Sequence, residues 1–316
     1  MSTTTPSATY FTRSTTPPSM ASGDAAPKPT LLAFHGSGSN ATIHTVQLAR
    51  LNKLLKDHFT IESLEGMFVF AFGGARDTPH KQPPLMHTNT HMTNQLTPAA
   101  PFPSPAGPGI LPFFTGCGPF ARWLPPSEKV SIAGMRDGTS TSSLSPETER
   151  LVRTTVHRIT SAGGRVVGLI GFSQGTKVVA GLLRGAQIRR AVGARGEDWL
   201  AGLRFAVCVC GSYPPPLVPQ GVLRTPEFVG RSEAEREVLL GEKIVAPTLH
   251  VQGAQDEWVW AGEALVAGHF EVGEGKSVVE RWEMGHHYPQ RPEESERIKE
   301  WLVEQLGIVE GEQPTA

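Results

Sequence analysis

The sequence predicts an α/β fold with a doubly wound, mostly parallel sheet, and two observations support this. Short apolar runs alternate with segments of helical composition, which is the order of elements that builds a parallel sheet covered by helices. One run passes directly into the glycine-rich turn Gly171-Phe172-Ser173-Gln174-Gly175 and then into a helical segment. The predicted strands are residues 31–34, 67–72, 165–170, 205–209, 248–251 and 277–282.

The helices between these strands are indicated by caps and by apolar residues at helical spacing. Asn40 can cap a first helix, whose apolar residues recur between positions 43 and 59. Ser145 and Pro146 start another helix, because serine caps well and proline suits the first helical position. The segment 231–240 and the residues after Pro292 predict two further helices.

Ser173 lies in a Gly-x-Ser-x-Gly pattern, which is typical of a nucleophile elbow between a strand and a helix. So tight a turn needs neighbours without Cβ atoms, and glycine stands two residues before and two residues after the serine. The N-terminus of the next helix favours negative charge that develops there. A glycine-rich turn with an inert serine has the same pattern, so the assignment depends on the rest of the chain.

The first predicted strand ends in His35-Gly36-Ser37-Gly38, a candidate for one half of an oxyanion hole. Glycine lets the backbone approach a substrate, and an exposed N–H there can point at an acyl oxygen. An ordinary Gly/Ser turn is the alternative interpretation.

A serine nucleophile on such a sheet needs an acid and then a histidine after it in the chain. Asp256 follows a predicted buried strand, at the sheet edge where ligand sites gather. Glu257 is adjacent and could substitute, but Asp256 is favoured. His286 and His287 follow the next strand, so a histidine there can take the proton of Ser173 while Asp256 fixes its tautomer.

Charge, hydropathy and cysteine content limit the kinds of partner, location and cofactor that are expected. The 29 basic and 30 acidic residues nearly cancel without a basic cluster, so neither nucleic acid nor an anionic membrane is expected as a partner. No apolar run approaches the length of a transmembrane helix and no signal-peptide core is visible, so a cytoplasmic protein is expected. Cys117, Cys208 and Cys210 have neither zinc nor disulfide spacing. Cys208 and Cys210, two apart on one predicted strand, are expected on one face, and no metal or cofactor is expected.

One domain at residues 30–309 fits the order of elements, with a disordered tail at 1–29 and a short tail at 310–316. Residues 76–126 form a proline-rich insertion, and so long a connection is either disordered or functional. Its second half is too apolar to leave in water, so we expect a flap or pocket wall over the carboxyl edge of the sheet. Packing under a loop is the alternative.

Together these residues resemble the fungal serine hydrolase family, a branch of the α/β-hydrolases, from about residue 31 to residue 306. The resemblance rests on Leu32-Ala33-Phe34-His35-Gly36 with Asn40, the turn around Ser173, Thr248-Leu249-His250-Val251 with Gly253 and Asp256, and Gly285-His286 with Pro289. It implies Ser173 as nucleophile, Asp256 as orienting acid and His286 as base. It also implies the backbone N–H groups of Ser37 and Gln174 as oxyanion donors.

A second resemblance concerns the substrate. Gly109-Ile110-Leu111-Pro112-Phe113-Phe114, with Gly118-Pro119-Phe120 and Trp123, is similar to family members found beside polyketide synthases, which act as esterases or thioesterases. This implies a small-molecule acyl substrate, presented on a polyketide synthase carrier domain. Two positions depart from the family: Ser37 replaces a bulky apolar residue, and Phe72-Gly73-Gly74-Ala75 replaces an acidic-alanine-proline turn.

The sequence therefore predicts a serine hydrolase that cleaves an acyl ester or thioester through an acyl-enzyme. The aromatic side chains expected to hold a bulky apolar acyl group are Phe113, Phe114, Phe120, Trp123 and Trp258. An acyltransferase that uses the same acyl-enzyme is one alternative. A non-catalytic binding protein of the same fold is another, although a binding module has no need of an intact Ser, Asp and His.

Overall fold

The apolar runs predicted as buried strands form the centre of the structure, a computed structural model that describes residues 27–64, 102–128 and 131–311, with side chains as far as residue 307. The strands are β1 (Thr30–Phe34), β2 (Thr60–Ser63), β3 (Phe102–Ser104), β4 (Phe120–Arg122), β5 (Ser143–Leu144), β6 (Val166–Phe172), β7 (Phe205–Val209), β8 (Val218–Pro219), β9 (Thr248–Gly253) and β10 (Val278–Trp282). The predicted strand at residues 67–72 and the turn after it lie outside the described residues.

Helices alternate with these strands, as the order of sequence signals predicted. They are α1 (Ala41–Gln47), α2 (Ala49–Leu55), α3 (Ile132–Arg136), α4 (Pro146–Ser161), α5 (Gly175–Val192), α6 (Gln220–Leu223), α7 (Pro226–Val229), α8 (Glu233–Gly241), α9 (Val259–His269) and α10 (Pro292–Gly311). The last helix runs two residues past the domain end predicted at residue 309.

Six strands pair in parallel in the order β2-β1-β6-β7-β9-β10. The chain moves from β1 outward to β2 and then returns to the other side of β1 as β6. The direction of winding therefore reverses between β1 and β6, and their outgoing loops diverge. Ligands of open α/β sheets bind in such a crevice at the carboxyl ends of the strands. The doubly wound α/β-hydrolase fold predicted from the sequence is confirmed.

Both faces of the sheet are covered, which explains why the central strands read as continuous apolar runs. Every residue of β6 is buried. On one face β6 and β7 pack with α4, α5 and α9, and on the other with α2 and α10. Each fully buried leucine or valine contributes about 1.5–3 kcal/mol from the transfer of its surface out of water.

The cap signals are confirmed. The carboxamide oxygen Oδ1 of Asn40 accepts the N–H of Ile43 at 2.9 Å, and the Ser145 hydroxyl accepts the N–H of Thr148, with Pro146 at the first helical position. The single helix predicted between residues 43 and 59 is instead two, α1 and α2, which meet at the buried Leu48.

The expectation that Cys208 and Cys210 share one face is wrong. Cys208 packs in the cluster with α5, whereas Cys210 packs in the cluster with α10 on the opposite face. The strand ends at Val209, and Cys210 adopts a left-handed backbone with φ of 49°. This turn interrupts the alternation of side chains that a continued strand would give.

The part of the proline-rich insertion that the structure describes, from residue 102 onward, is attached to the loop that leaves β1. β3 and β4 form an antiparallel pair, and Gly38 donates its N–H to Ala121 O at 2.8 Å. Ala121 in turn donates its N–H to Ser39 O at 2.7 Å. Backbone hydrogen bonds thus hold this segment over the carboxyl edge of the sheet. Residues 76–101 lie outside the described part of the chain.

None of the helices within the described ranges combines the length and the apolar character that are needed to cross a bilayer.

Buried histidines make the free energy of unfolding depend on pH. Burial lowers the pKa of His250, in β9, from 6.5 to about 3. Because the folded-state pKa lies below the unfolded value, the unfolded chain takes up the proton first as the pH falls. The stability contributed by neutral His250 is therefore complete above pH 6.5 and is lost as the pH falls from there toward 3.

We expect His250→Leu to flatten the dependence of the unfolding free energy on pH. Between pH 7 and pH 5 the wild-type protein should lose about 2 kcal/mol more than the variant, since one pKa unit corresponds to about 1.4 kcal/mol. Urea unfolding at the two pH values measures this difference. The control is His58→Leu, at a partly exposed position after α2, which should leave the dependence unchanged. An equal loss in the wild type and His250→Leu would contradict the expectation.

Candidate active site

Ser173 stands at the turn between β6 and α5 with a left-handed backbone, φ 48°. This conformation is costly for a residue with a side chain and persists only where the surroundings impose it. The Ser173 N–H donates to Val209 O at 3.0 Å, and its carbonyl accepts both the N–H of Thr176 at 2.9 Å and the Thr176 hydroxyl at 2.7 Å. The turn is therefore held on both sides, and the hydroxyl of Ser173 projects from it into the crevice between β1 and β6.

The two flanking glycines are required by space. A Cβ at Gly175 would lie 2.2 Å from the carbonyl oxygen of Phe34, and one at Gly171 would lie 2.8 Å from the side chain of Val179. No rotamer change can relieve a clash with a backbone carbonyl. The glycines of the Gly-x-Ser-x-Gly pattern thus allow α5 to pack directly against the end of β1.

Three side chains predicted from separate parts of the sequence meet at this turn. His286 Nε2 lies 2.9 Å from Ser173 Oγ, and His286 Nδ1 lies 2.8 Å from Asp256 Oδ2. Asp256 follows β9 and His286 follows β10, so adjacent strands of the sheet deliver both groups to one edge. A neutral imidazole can donate Nδ1–H to the carboxylate while Nε2 accepts the serine proton.

The Asp256 carboxylate is buried, with only 1% of its side chain exposed. Burial alone would raise its pKa, but the hydrogen bond and charge of His286 and the N–H of Trp258, which donates to Oδ1 at 2.8 Å, together lower the pKa of Asp256 below its usual value. The carboxylate therefore stays ionised beside the imidazole.

The neighbouring candidates do not take part in this chain of hydrogen bonds. The exposed Glu257 accepts from the indole N–H of Trp258 at 3.1 Å. His287 lies beside His286, but its Nδ1 faces Tyr288 O at 2.8 Å and its Nε2 accepts the N–H of Gly285 at 3.2 Å. Both ring nitrogens of His287 are thus engaged within their own loop.

The predicted oxyanion donors lie on the two loops that diverge at the crevice. Neither the N–H of Ser37 nor that of Gln174 has an acceptor among the described residues. Gly36 lies against Phe172 and Ser173, where a Cβ would lie 2.9 Å from the Phe172 ring. The loop after β1 can therefore approach the serine as closely as one half of an oxyanion hole requires.

The side chain of Trp123 is an internal support rather than a wall of the cleft. It is fully buried against Phe34 and His35, and its indole N–H donates to His35 O at 2.7 Å. Its backbone N–H donates to the Gln174 carboxamide at 2.7 Å. Trp123 thus connects the loop after β1 to the turn that carries Ser173.

Asn40 attaches the outer part of the same segment. While its Oδ1 caps α1, its Nδ2 donates to Cys117 O at 2.7 Å and to Pro119 O at 3.0 Å. One asparagine therefore fixes a helix start and the end of the wall above it, a role that the sequence did not indicate beyond the cap.

Buried neutral side chains support the histidine loop from below. Tyr288 stacks on Phe172 at 5.0 Å between ring centroids, and its hydroxyl lies 2.8 Å from His44 Nε2 in α1. Burial lowers the pKa of His44 and raises that of Tyr288, so this contact is between uncharged groups. Burial also lowers the pKa of His35 to about 4. His35, His44 and Tyr288 are therefore uncharged near neutral pH and add no charge beside Asp256.

A cleft of about 1240 Å³ opens above Ser173. Of the predicted pocket aromatics, Phe113, Phe114 and Trp258 line it. The prediction fails for Trp123, which is buried as described above, and for Phe120, which lies in β4 and packs on Gly118 instead. Further lining residues that sequence reasoning missed are Val46, Arg50, Ile110, Ile132, Met135 and Tyr213.

One group of three metal-ligating side chains occurs in the described part of the chain, and it consists of Cys210, Asp256 and His286. Asp256 and His286 are already hydrogen-bonded to each other, and burial raises the pKa of the Cys210 thiol. A metal requires a thiolate and a free imidazole nitrogen, so these donors fit a hydrogen-bonded triad better than a metal site.

The chain is similar to several known proteins. The chain is 28% identical over 275 residues to "Esterase mokD" of Monascus pilosus, covering 83% of this chain and 86% of that protein. It is also 28% identical over 265 residues to "Dihydromonacolin L-[lovastatin nonaketide synthase] thioesterase" of Aspergillus terreus, again covering 83% and 86%. Among solved structures, Zea mays acyl-protein thioesterase 2 aligns with 90% of this chain and 97% of its own, at a TM-score of 0.42 and 17% identity.

Residues 25–298 match the family described as "Serine hydrolase (FSH1)". This range includes the loop after β1, the turn at Ser173, Asp256 and His286. The chain therefore belongs to the FSH1 family of serine hydrolases.

Proposed function

We propose that Ser173 is the nucleophile, His286 the general base and Asp256 the orienting acid of an esterase or thioesterase that works through an acyl-enzyme. The observation that carries this is the continuous chain of contacts from Ser173 Oγ to His286 at 2.9 Å and from His286 to Asp256 at 2.8 Å. These distances are within hydrogen-bond reach for proton transfer.

In the first step Ser173 Oγ attacks the acyl carbon while His286 Nε2 takes the hydroxyl proton. The carbonyl oxygen becomes an oxyanion, which the free N–H groups of Ser37 and Gln174 stabilise; one such donor is worth about 3 kcal/mol. His286 then gives the proton to the leaving thiol or alcohol. Water attacks the acyl-enzyme by the same route in reverse, and the acid and Ser173 are released.

The substrate we propose is an ester or thioester with a bulky, largely apolar acyl group. Phe114, Ile132, Met135 and Trp258 supply an apolar surface beside the serine. One relative is named as an esterase, and the other is named as a thioesterase of the lovastatin nonaketide synthase. By analogy with them, the acyl group would be a polyketide presented on a synthase carrier domain.

Hydrolysis is favoured over the alternatives. The cleft is open at its rim, where the Phe113 side chain is 85% exposed, so water reaches the acyl-enzyme. An acyltransferase would have to exclude that water. A non-catalytic binding protein would have no use for a strained serine joined to a histidine and a buried carboxylate.

We expect His286→Ala to lower kcat for a simple ester by about 10⁴-fold or more, since removing the base disables the triad. His287→Ala should cost less than about tenfold, because both ring nitrogens of His287 hydrogen-bond within its own loop and neither reaches Ser173 or Asp256. Steady-state kinetics of both variants, with Ser173→Ala as the reference for complete loss, make the comparison. A larger loss in His287→Ala than in His286→Ala would show that His287 is the base instead.

Acyl length tests the proposed substrate. Rates on N-acetylcysteamine thioesters should rise with chain length as more apolar surface enters the cleft, at about 0.8 kcal/mol per buried methylene at most. Phe114→Ala should reduce kcat/KM for a long acyl chain several-fold more than for acetyl. The control is Leu111→Ala, in the same segment but outside the cleft lining. Equal losses for both chain lengths would mean that Phe114 only packs the wall.

A further inference from the structure

The cleft has two walls of different polarity. During acyl-enzyme formation His286 delivers a proton to the departing atom, so the leaving group must lie beside the histidine loop. That loop is joined to α1 by the contact between Tyr288 and His44 at 2.8 Å. The residues that follow along α1 and α2, Gln47 and Arg50, line the cleft together with the histidine loop. We call this side the leaving-group wall.

Arg50 carries the only permanent charge among the described residues that line the cleft. It is exposed, and its guanidinium has no hydrogen bond or ion pair with any residue in the described ranges. An unpaired cation at the rim of an otherwise uncharged cleft attracts anions, because the low-dielectric walls focus its field. Its planar set of donors matches the oxygens of a phosphate.

Gln47 provides a second unpartnered group on the same wall. It is half-buried, and its carboxamide oxygen is buried without a hydrogen-bond partner in the part of the chain that is described. Rotation of the carboxamide exchanges its oxygen and its NH₂, so the same position can present a donor. A buried polar group without a partner is costly, which favours a ligand that supplies one.

We infer that Arg50, assisted by Gln47, binds a phosphate group on the leaving thiol of the substrate. The inference rests on the proposed thioesterase function and deepens it. A phosphopantetheine arm carries such a phosphate beyond its thiol, whether it is attached to a carrier domain or is part of free coenzyme A. The acyl group would then lie along the apolar surface that includes Phe114 and Trp258, and the phosphate would lie at the opposite end of the substrate, beside Arg50.

Binding tests this without turnover. In Ser173→Ala protein, phosphopantetheine should bind more tightly than pantetheine, and adding Arg50→Gln should raise the Kd of phosphopantetheine about tenfold, the loss of a charge-assisted contact. Lys53→Gln, one turn further along α2 and outside the cleft lining, is the matched control and should leave that Kd unchanged. Equal Kd values for the phosphorylated and unphosphorylated thiols would overturn the inference.

Turnover then identifies the source of the phosphate. With one acyl group, the ratio of kcat/KM for the coenzyme A thioester to that for the N-acetylcysteamine thioester should fall in Arg50→Gln. A parallel fall for the same acyl group on a carrier domain assigns the arm of a carrier, and a fall confined to coenzyme A assigns the free cofactor. If wild-type protein hydrolyses no thioester, the proposed function fails, while the binding measurement still decides on Arg50.

A separate observation concerns Cys210, which ends β7 beside the triad. Its Sγ lies 3.6 Å from both Gly285 O and His287 O, the carbonyls on either side of His286. Its Sγ, a carboxylate oxygen of Asp256 and a ring nitrogen of His286 all lie within 4.8 Å of one another. Cys210 is buried and, like Ser173, adopts a left-handed backbone without being glycine.

We propose that Cys210 is a positioning residue, whose thiol proton is shared between Asp256 and the carbonyls that flank His286. A thiol at this point supports the carboxylate from the side opposite the imidazole and limits rotation of the histidine loop. This rests on the triad roles proposed above. The titratable groups that face Cys210 are Asp256, His286 and Tyr288. Burial raises the pKa of the thiol, so it remains a donor.

Serine and alanine variants separate the hydrogen bond from packing, because both keep a Cβ at the same strained backbone. We expect Cys210→Ala to lower kcat for a simple ester about five- to tenfold with little change in KM, the effect of one lost hydrogen bond. In the profile of kcat/KM against pH, the acid limb of Cys210→Ala should lie at higher pH than that of the wild type, because the Asp256 carboxylate loses the thiol as a hydrogen-bond donor. Cys210→Ser should restore both toward wild type.

Two results would overturn this role. One is a Cys210→Ala variant with unchanged kcat and pH profile. The other is a Cys210→Ser variant as impaired as Cys210→Ala, which would mean that the sulfur only fills space. Urea unfolding of both variants shows whether a loss of activity follows a loss of stability instead.

Discussion

The structure depends on the close approach of α5 to the end of β1. Gly175 lies so near the carbonyl of Phe34 that a Cβ would come within 2.2 Å of it, and Ser173, two residues earlier in the same turn, has a left-handed backbone. The strain is sustained by hydrogen bonds to Ser173 from Thr176 and with Val209. Because β6 lies at the point where the winding of the sheet reverses, the strained turn projects its hydroxyl where the loops after β9 and β10 also end.

The second requirement is that the loop after β1 remains fixed opposite this turn. Trp123, in the segment that contains β4, donates its indole N–H to His35 O in this loop and its backbone N–H to the Gln174 carboxamide. Asn40, at the end of the loop itself, donates to Cys117 O and Pro119 O of that segment. Beneath it, buried uncharged histidine and tyrosine side chains fill the space without adding charge near Asp256. The proline-rich segment therefore serves both as a wall of the cleft and as a support for the proposed oxyanion donors.

Sequence patterns predicted that Ser173, Asp256 and His286 meet at one site, because each follows a predicted strand and parallel strands bring their carboxyl ends to one edge. The sequence patterns gave wrong predictions where the role of a residue depends on the direction of its side chain. Trp123 and Phe120 are as aromatic as Phe114, but only the fold shows that Trp123 points inward to His35. The left-handed backbone at Cys210 places this cysteine on the face opposite to the predicted one. No signal in the sequence indicated such a turn, because left-handed positions are usually occupied by glycine. Arg50 lies on α2, in the segment predicted as a helix from its apolar residues alone, and no local pattern connected it to the histidine loop.

In the proposed mechanism, His286 activates Ser173 to form a covalent acyl-enzyme. A fluorophosphonate phosphonylates an activated serine irreversibly, and peptide mapping by mass spectrometry then locates the adduct. We expect one adduct per chain, located on Ser173, and much slower labelling in His286→Ala. An adduct on a different residue, or a folded wild-type protein that remains unlabelled, would contradict it.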